Sequence, residues 1–210
     1  GDLVKFAGST LLEWKIVQLL KISKKENIFV ATPSAKVLDV AKEYGVNIIK
    51  REGESSIHEM IFKITEKIDR EHIMWTNATS PFLGPRHYND IINKYFRLDK
   101  EKYDSIVTVL KMQEYIMYRD KPLNFDLKLY KERKVIEPVS KITNGCSIVK
   151  RETTLKYKKD LGTRPFLYEV DKFAAMEISE IDDNAIMSDL VAHYFRRDLE
   201  QEFALFPIVE

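Results

Sequence analysis

Hydrophobic residues recur every three or four positions near the start of the chain. Leu12, Ile16 and Leu19 follow this spacing within residues 11–22, and the spacing is typical of an amphipathic helix. The polar side of this predicted helix carries four side chains, Glu13, Lys15, Gln18 and Lys21. We expect these four side chains to lie on the face opposite the core.

After this helix, short apolar runs alternate with further helical stretches. The predicted strands are 27–32, 46–49, 73–76, 105–110 and 147–149, and the predicted helices are 34–44, 55–68, 88–98, 153–157 and 186–199. Such alternation is typical of a mostly parallel sheet with helices on both faces. The sequence therefore predicts an α/β fold. Its 210 residues suit a single domain, 1–210, with one well-buried core.

The alternation breaks down from Met112 to Val139, a stretch that includes residues 113–139. A turn is indicated at 120–122, and Leu127, Leu129 and Tyr130 alternate as in an exposed hairpin or arm. Such an arm needs a partner surface to cover its apolar side chains.

Charge and cysteine content limit the classes of partner and compartment. The 34 basic and 33 acidic residues give a net charge of +1, so no overall field favours nucleic acid or an anionic membrane. No apolar stretch approaches the ~20 residues that cross a bilayer, and residues 1–20 lack the pattern of a secretory signal. The single cysteine, Cys146, fits a reducing compartment and is expected to be buried packing. We expect a cytoplasmic protein that binds neither nucleic acid nor membrane.

Ligands of open α/β sheets bind outside the carboxyl ends of the strands. The segments that follow predicted strands are 32–33, 51–56, 77–81 and 111–114. Arg51 could bind a phosphate as a bidentate donor, or it could pair with the nearby Glu52 and Glu54.

Three other polar groups have both a functional and a structural interpretation. The amide and hydroxyls of residues 77–81 could bind a polar ligand, or Ser80-Pro81 could be a helix N-cap followed by proline. Asn144-Gly145 could be only a turn. The carboxylates in 177–183 could bind magnesium, which prefers oxygen ligands, or could cap the last helix.

Several motifs, taken in order, resemble the acylneuraminate (CMP-sialic acid) cytidylyltransferase family. Residues 6–14 are similar to the family's "LAGKPLI-W", 79–81 to "PTSP", 104–109 to "DSVVSV" and 144–145 to "NGA"; residues 37–45 match its second helix. The resemblance extends from about Leu3 to the closing helix.

The resemblance implies a Rossmann-like nucleotide-diphospho-sugar transferase sheet and a homodimer that joins through 113–139 as a dimerisation arm. It implies CTP and a sialic-acid-like 2-keto sugar acid as substrates, with Mg²⁺ as cofactor. The implied nucleotide-binding residues are Arg51, Ser55 and Ser56, and the implied metal ligands are Glu177 and Ser179. The implied substrate-binding residues are Asn77, Thr79, Ser80, Gln113, Arg133, Asn144 and Gly145, with Arg133 reaching the sugar carboxylate in the neighbouring subunit.

The chain departs from the family pattern in three places. The family begins with a strand and a glycine-rich basic loop that wraps the triphosphate, whereas only Gly1 and Asp2 precede the matching segment here. We therefore expect neither that strand nor that loop in this chain. The family's "DIDT" reads Glu177-Ile178-Ser179-Glu180, and Asn77 and Leu83 replace a glutamine and an arginine. The sequence thus leaves open a cytidylyltransferase, a non-catalytic relative that binds a sugar acid or nucleotide, and a transferase that uses another nucleotide or sugar.

Overall fold

A computed structural model describes residues 3–129, 131–178 and 185–190 as a mixed α/β structure. The strands are β1 (Lys5–Phe6), β2 (Ser9–Thr10), β3 (Phe29–Thr32), β4 (Asn47–Lys50), β5 (His72–Trp75), β6 (Ser105–Met112), β7 (Met117–Tyr118), β8 (Lys121–Pro122), β9 (Val139–Lys150) and β10 (Pro165–Glu169). The helices are α1 (Leu11–Leu20), α2 (Ala35–Glu43), α3 (Ile57–Glu66), α4 (Pro85–Phe96) and α5 (Arg151–Tyr157). Residues 185–190 are also helical, and the rest of the predicted closing helix lies outside the described residues.

Four strands form the largest sheet, in the order β10-β6-β9-β5. Strand β10 is parallel to β6, whereas β9 is antiparallel to both β6 and β5. Strands β5, β6 and β10 therefore run in one direction. Strands β3 and β4 form a separate parallel pair. The prediction of an α/β fold with a mostly parallel sheet is confirmed.

A pocket of about 570 Å³ lies between β3 and β5. Within the described ranges, β3 pairs only with β4 and β5 only with β9, so each strand turns an unpaired edge towards this pocket. Phe29 and Ala31 line the β3 side and Met74 lines the β5 side. At one end, Arg70 Nε donates to Asn27 Oδ1 at 3.0 Å. Side-chain packing, rather than a continuous sheet, joins the two groups of strands.

Helix α1 is buried on more than one side. It begins with a capping box in which the Thr10 hydroxyl accepts from Glu13 N and the Glu13 carboxylate accepts from Thr10 N at 2.8 Å. Trp14 belongs to one apolar cluster and Ile16 to another, so the helix has apolar neighbours on both sides.

The predicted position of two polar side chains of α1 is wrong. Lys15 is 4% exposed and Gln18 is 1% exposed, although the helical period placed both on the polar face. The period was misleading because Trp14 and Val17 widen the apolar surface around the helix. Lys15 and Gln18 instead hydrogen-bond to a loop that covers α1.

Two structural alternatives from the sequence are also wrong. Asn144-Gly145 lies inside the twelve-residue strand β9, where the pairing with β6 shifts register between Ile142 and Ser147, so it is an irregularity within a strand and not a turn. The N-cap of α4 is Gly84, with Pro85 in the first turn, so Ser80-Pro81 does not begin that helix.

The predicted arm is exposed, but its hairpin lies at β7 and β8 rather than at residues 127–130. The hairpin turn uses Arg119 and Asp120, whose φ angles are +50° and +62°. Leu127 and Leu129 are each 65% exposed and lie outside the strands, while Tyr130 is outside the described residues. The arm therefore presents apolar side chains to solvent in the single chain.

No helix among the described residues has the length and apolar character needed to cross a bilayer.

Candidate functional site

Four predicted site residues meet beyond the ends of β5 and β10. Asn77 Nδ2 donates to the Asn144 carbonyl at 3.3 Å, and Asn144 Nδ2 donates to Glu177 Oε1 at 2.5 Å. The backbone N–H of Ile178 donates to the Thr79 carbonyl at 2.8 Å. We call Asn77, Thr79, Asn144 and Glu177 the Asn144 cluster. It brings two side-chain amides, a carboxylate and the backbone of Thr79 to one edge of the sheet.

The loop that carries Asn77 and Thr79 is held from below by α1. Trp14 Nε1 and Gln18 Nε2 both donate to the Pro81 carbonyl, at 2.9 and 2.7 Å. Lys15 Nζ donates to the Ser80 carbonyl at 2.9 Å. Ser80, one of the predicted substrate-binding residues, is only 2% exposed. Its hydroxyl is therefore buried in the interior. These hydrogen bonds come from buried side chains of α1, so they fix the conformation of the loop before any ligand binds.

Burial changes the ionisation of the groups beneath the loop. Desolvation lowers the pKa of Lys15 from 10.5 to about 7, and the nearby Cys146 has a smaller opposing effect. The thiol of Cys146 is buried as predicted, and burial raises its pKa to about 12. Burial also raises the pKa of Tyr88. Near neutral pH, both the thiol and the phenol are uncharged.

Gly145 contributes through its backbone and its small size. Its carbonyl accepts from Thr76 Oγ1 at 2.7 Å. A Cβ atom at this position would lie 2.9 Å from Leu83 Cδ2. Gly145 thus lets β9 approach the loop and brings its neighbour Asn144 against Asn77.

The predicted nucleotide-binding residues lie after β4, where they already have partners. Arg51 Nε donates to Glu54 Oε2 at 3.2 Å, and Arg51 also lines the pocket between β3 and β5, as does Asn77. Ser55 Oγ donates to the Glu59 carboxylate at 2.6 Å, and Ser56 Oγ accepts from Glu59 N at 3.2 Å. In this state both hydroxyls stabilise the start of α3.

Gln113 and Arg133 lie in the arm. Gln113 Nε2 donates to the Lys134 carbonyl at 2.8 Å, and Arg133 Nη1 pairs with Glu114 at 2.8 Å. Both side chains are exposed. Among the described contacts, none connects either residue to the Asn144 cluster of the same chain.

Of the two predicted metal ligands, Glu177 is described and Ser179 lies outside the described residues. The described ranges contain no group of three or more His, Cys, Asp or Glu placed to hold a metal ion. Magnesium usually takes one or two carboxylates and completes its shell with substrate phosphates and water. The half-buried Glu177 carboxylate, oriented by Asn144, fits one such ligand.

The sequence did not reveal the residues that support the site from inside. Lys15, Gln18, Thr76 and Tyr88 form this support. The available signal was the pair Trp14 and Val17, which makes the supposed polar face of α1 partly apolar. That signal indicates burial of Lys15 but does not reveal its partners, which are 65 or more positions away in the chain.

Comparison with known proteins identifies one family and a shared fold. A family model described as "Cytidylyltransferase" matches residues 2–195. A comparison with curated proteins finds no match.

Among solved structures, the 4-diphosphocytidyl-2C-methyl-D-erythritol synthase of Anaerococcus prevotii has a TM-score of 0.69 and 13% identity, over 92% of this chain and 94% of that one. A CMP:2-keto-3-deoxy-manno-octonic acid synthetase complexed with CTP has a TM-score of 0.62 and 12% identity, over 93% and 92%. The 2-C-methyl-D-erythritol 4-phosphate cytidylyltransferase of Thermus thermophilus gives 0.61 and 13%, over 91% and 93%. At these identities the likeness shows the fold.

Proposed function

Because the chain belongs to the cytidylyltransferase family, we propose that it transfers the cytidylyl group of CTP to a sialic-acid-like 2-keto sugar acid. The observation that supports this proposal is the Asn144 cluster, which lies where ligands of open α/β sheets bind. Its amides and carboxylate match a substrate rich in hydroxyl groups. One of the structurally similar proteins is named for a 2-keto sugar acid and was solved with CTP.

In the proposed reaction, the anomeric hydroxyl of the sugar attacks the α-phosphorus of CTP. The bond between this phosphorus and the bridging oxygen of pyrophosphate breaks, pyrophosphate leaves, and the hydroxyl proton passes to solvent. Positioning and charge neutralisation supply most of the rate in such transfers. The chain would provide the positioning through Asn77, Thr79 and Asn144.

In this proposal, Arg51 and a magnesium ion neutralise the negative charge of the CTP phosphates. Arg51 would exchange its Glu54 partner for a CTP phosphate, since guanidinium groups bind phosphate in a bidentate manner. Glu177 would hold the ion, with Ser179 as the second predicted ligand. When bound, magnesium supplies positive charge near the phosphates.

We also propose a homodimer formed through residues 113–139. The exposed leucines of this arm need a covering surface, and Arg133 is exposed enough to reach a second subunit. Arg133→Ala is expected to weaken sugar-acid binding several-fold in calorimetry while the dimer persists. Lys134→Ala, which removes the neighbouring exposed cation, is the matched control. Equal affinities in Arg133→Ala and the unmodified protein would contradict the assignment.

A non-catalytic relative is the alternative, and one observation favours it. Arg51, Ser55 and Ser56 all form hydrogen bonds within the chain, so a nucleotide that binds through the same atoms would have to displace Glu54 and Glu59. Such a relative would bind a sugar acid or nucleotide without turnover.

Pyrophosphate release separates the two functions. The assay uses CTP, Mg²⁺ and a panel of 2-keto sugar acids, on this chain and on a version extended at its amino terminus. Asn144→Ala serves as the site variant, and Asn89→Ala, at an exposed position of α4, is the comparison outside the site. We expect pyrophosphate release with one of the sugar acids, and we expect Asn144→Ala to abolish this release. Folded protein that releases no pyrophosphate in either version would favour the binding relative.

A further inference from the structure

A chain of hydrogen bonds connects the buried Lys15 to the Asn144 cluster. Lys15 Nζ lies 2.7 Å from Tyr88 Oη, and Tyr88 Oη lies 2.6 Å from Thr76 Oγ1. Thr76 Oγ1 donates to the Gly145 carbonyl at 2.7 Å. The chain passes from α1 through α4 and the end of β5 to β9. It ends one residue from Asn144.

When Lys15 is charged, every proton in this chain has one position. An ammonium group carries three N–H donors and has no acceptor. Two of its contacts are the carbonyls of Ser80 and Leu83, at 2.9 and 3.3 Å, which can only accept. The Tyr88 oxygen therefore accepts the third N–H, and its own proton goes to Thr76. Thr76 is then free to donate to Gly145.

When Lys15 is neutral, it has one N–H too few for its three contacts. If its two N–H groups stay on the two carbonyls, its lone pair faces Tyr88. That lone pair takes the Tyr88 proton, which leaves no proton between the oxygens of Tyr88 and Thr76. Thr76 can supply one only by releasing the Gly145 carbonyl. The hydrogen bond that is lost is the one to the carbonyl of Gly145, the residue next to Asn144.

Within this series of hydrogen bonds, Lys15 is the group whose charge changes near neutral pH. The titratable groups that face it are the Tyr88 phenol from α4 and the Cys146 thiol from β9. Burial raises the pKa of both, so both remain neutral. Within the described residues, no carboxylate is paired with Lys15. Burial lowers the pKa of Lys15 itself to about 7.

We propose that Lys15 is a positioning residue, whose ammonium group fixes the hydrogen bonds through Tyr88 and Thr76 that hold Asn144 in the candidate site. It contacts no substrate in this proposal. The inference that this affects substrate binding depends on the proposed function, whereas the hydrogen-bond chain does not.

The first test is structural and needs no substrate. The backbone amide signals of Asn144 and Gly145 are followed by NMR from pH 5.5 to 9. In the unmodified protein they are expected to shift with the midpoint of the Lys15 titration. Thr76→Val keeps the shape of the side chain and breaks the last hydrogen bond, so the shift should disappear. Signals that do not titrate, or that titrate equally in Thr76→Val, would overturn the proposal.

The second test measures function with matched controls. Thr76→Val should raise KM for the sugar acid about fivefold to tenfold with a smaller change in kcat. Thr65→Val removes a similar buried hydrogen bond, from Thr65 Oγ1 to the Ile61 carbonyl within α3, and should leave KM unchanged. Equal changes of KM in both variants would mean a general structural effect and would overturn the proposal.

The third test uses Lys15→Met, which keeps the length of the side chain without its charge. Affinity for the sugar acid should fall in the unmodified protein as pH rises through about 7, and it should be low and nearly constant in Lys15→Met. Lys100→Met removes another lysine that donates to a backbone carbonyl, that of Tyr95, and should retain the pH dependence. If no variant binds a sugar acid, the proposed function fails and the NMR result alone decides the role of Lys15.

Discussion

The space around Gly145 shows how the site depends on single side chains. Leu83 and Thr108 approach the position where a Cβ atom would be, at 2.9 and 3.4 Å. The carbonyl of Gly145 also accepts the last of the hydrogen bonds that run from Lys15 through Tyr88 and Thr76. At this scale, the resemblance to a known family identified Asn77, Asn144 and Glu177, which the structure brings together. Lys15 could not be predicted because its role depends on partners distant in sequence.

Gly145→Ala is expected to destabilise the fold by about 1–3 kcal/mol, the usual cost of overpacking a tight site. The added methyl group must displace Leu83, which also supports the site loop. Urea unfolding measures the change. Gly53→Ala is the control, since no atom lies within 4 Å of its added Cβ. Equal midpoints for Gly145→Ala and the unmodified protein would mean that Leu83 moves without cost.

The pH dependence of stability also belongs to the residue scale. The folded pKa of Lys15 is lowered from 10.5 to about 7, so between these values the unfolded chain binds more protons. The contribution of Lys15 therefore raises the free energy of unfolding as pH increases through this window, by at most about 1.4 kcal/mol per pH unit. Denaturation from pH 6 to 9 should show this rise, and Lys15→Met should lose it. The same rise in both proteins would contradict burial of a charged Lys15.

At the scale of elements, the sequence predicts those whose own residues form a clear apolar pattern. Strands β3 to β6 and helices α2 and α3 agree with prediction within a few residues because each apolar run is bounded by polar residues. The first half of β9 was missed, since its polar residues Ser140, Lys141 and Asn144 are extended only by pairing with distant β6 and by contacts at the site.

Helix α1 offers a test of how an element supports the site. Thr10→Ala removes the side-chain half of its capping box and should cost about 1 kcal/mol. Thr10→Ser retains the hydroxyl and should lose little. Chemical denaturation compares the two variants. A cost that is equal for alanine and serine would show that the lost methyl group, not the cap, is responsible.

At the scale of the whole molecule, the arm is the largest exposed apolar feature that the sequence predicted. Its exposure is confirmed, whereas its partner stays a prediction. The predicted turn at 120–122 overlaps the hairpin turn at Arg119 and Asp120. The strands on either side of it were missed because β7 and β8 have only two residues each, too few to form an alternating pattern.

Replacement of Leu127 and Leu129 by serine should convert the proposed dimer to monomers, since it removes apolar surface that association would bury. Light scattering at several protein concentrations measures the mass. Ile57→Ser changes an apolar side chain that is 63% exposed outside the arm and should leave the mass unchanged. A dimer that persists in the double variant would place the interface elsewhere.

The pocket between β3 and β5 has a consequence for how the fold opens. Backbone hydrogen bonds hold β3 to β4 and β5 to β9, but within the described chain none joins β3 to β5. Proteins open locally where few contacts hold a segment to the rest of the fold. We therefore expect the β3–β4 pair, which only side-chain packing joins to β5, to separate from the main sheet before the molecule unfolds. The amide protons of Ala31 and Met74 would then exchange with water long before the molecule unfolds.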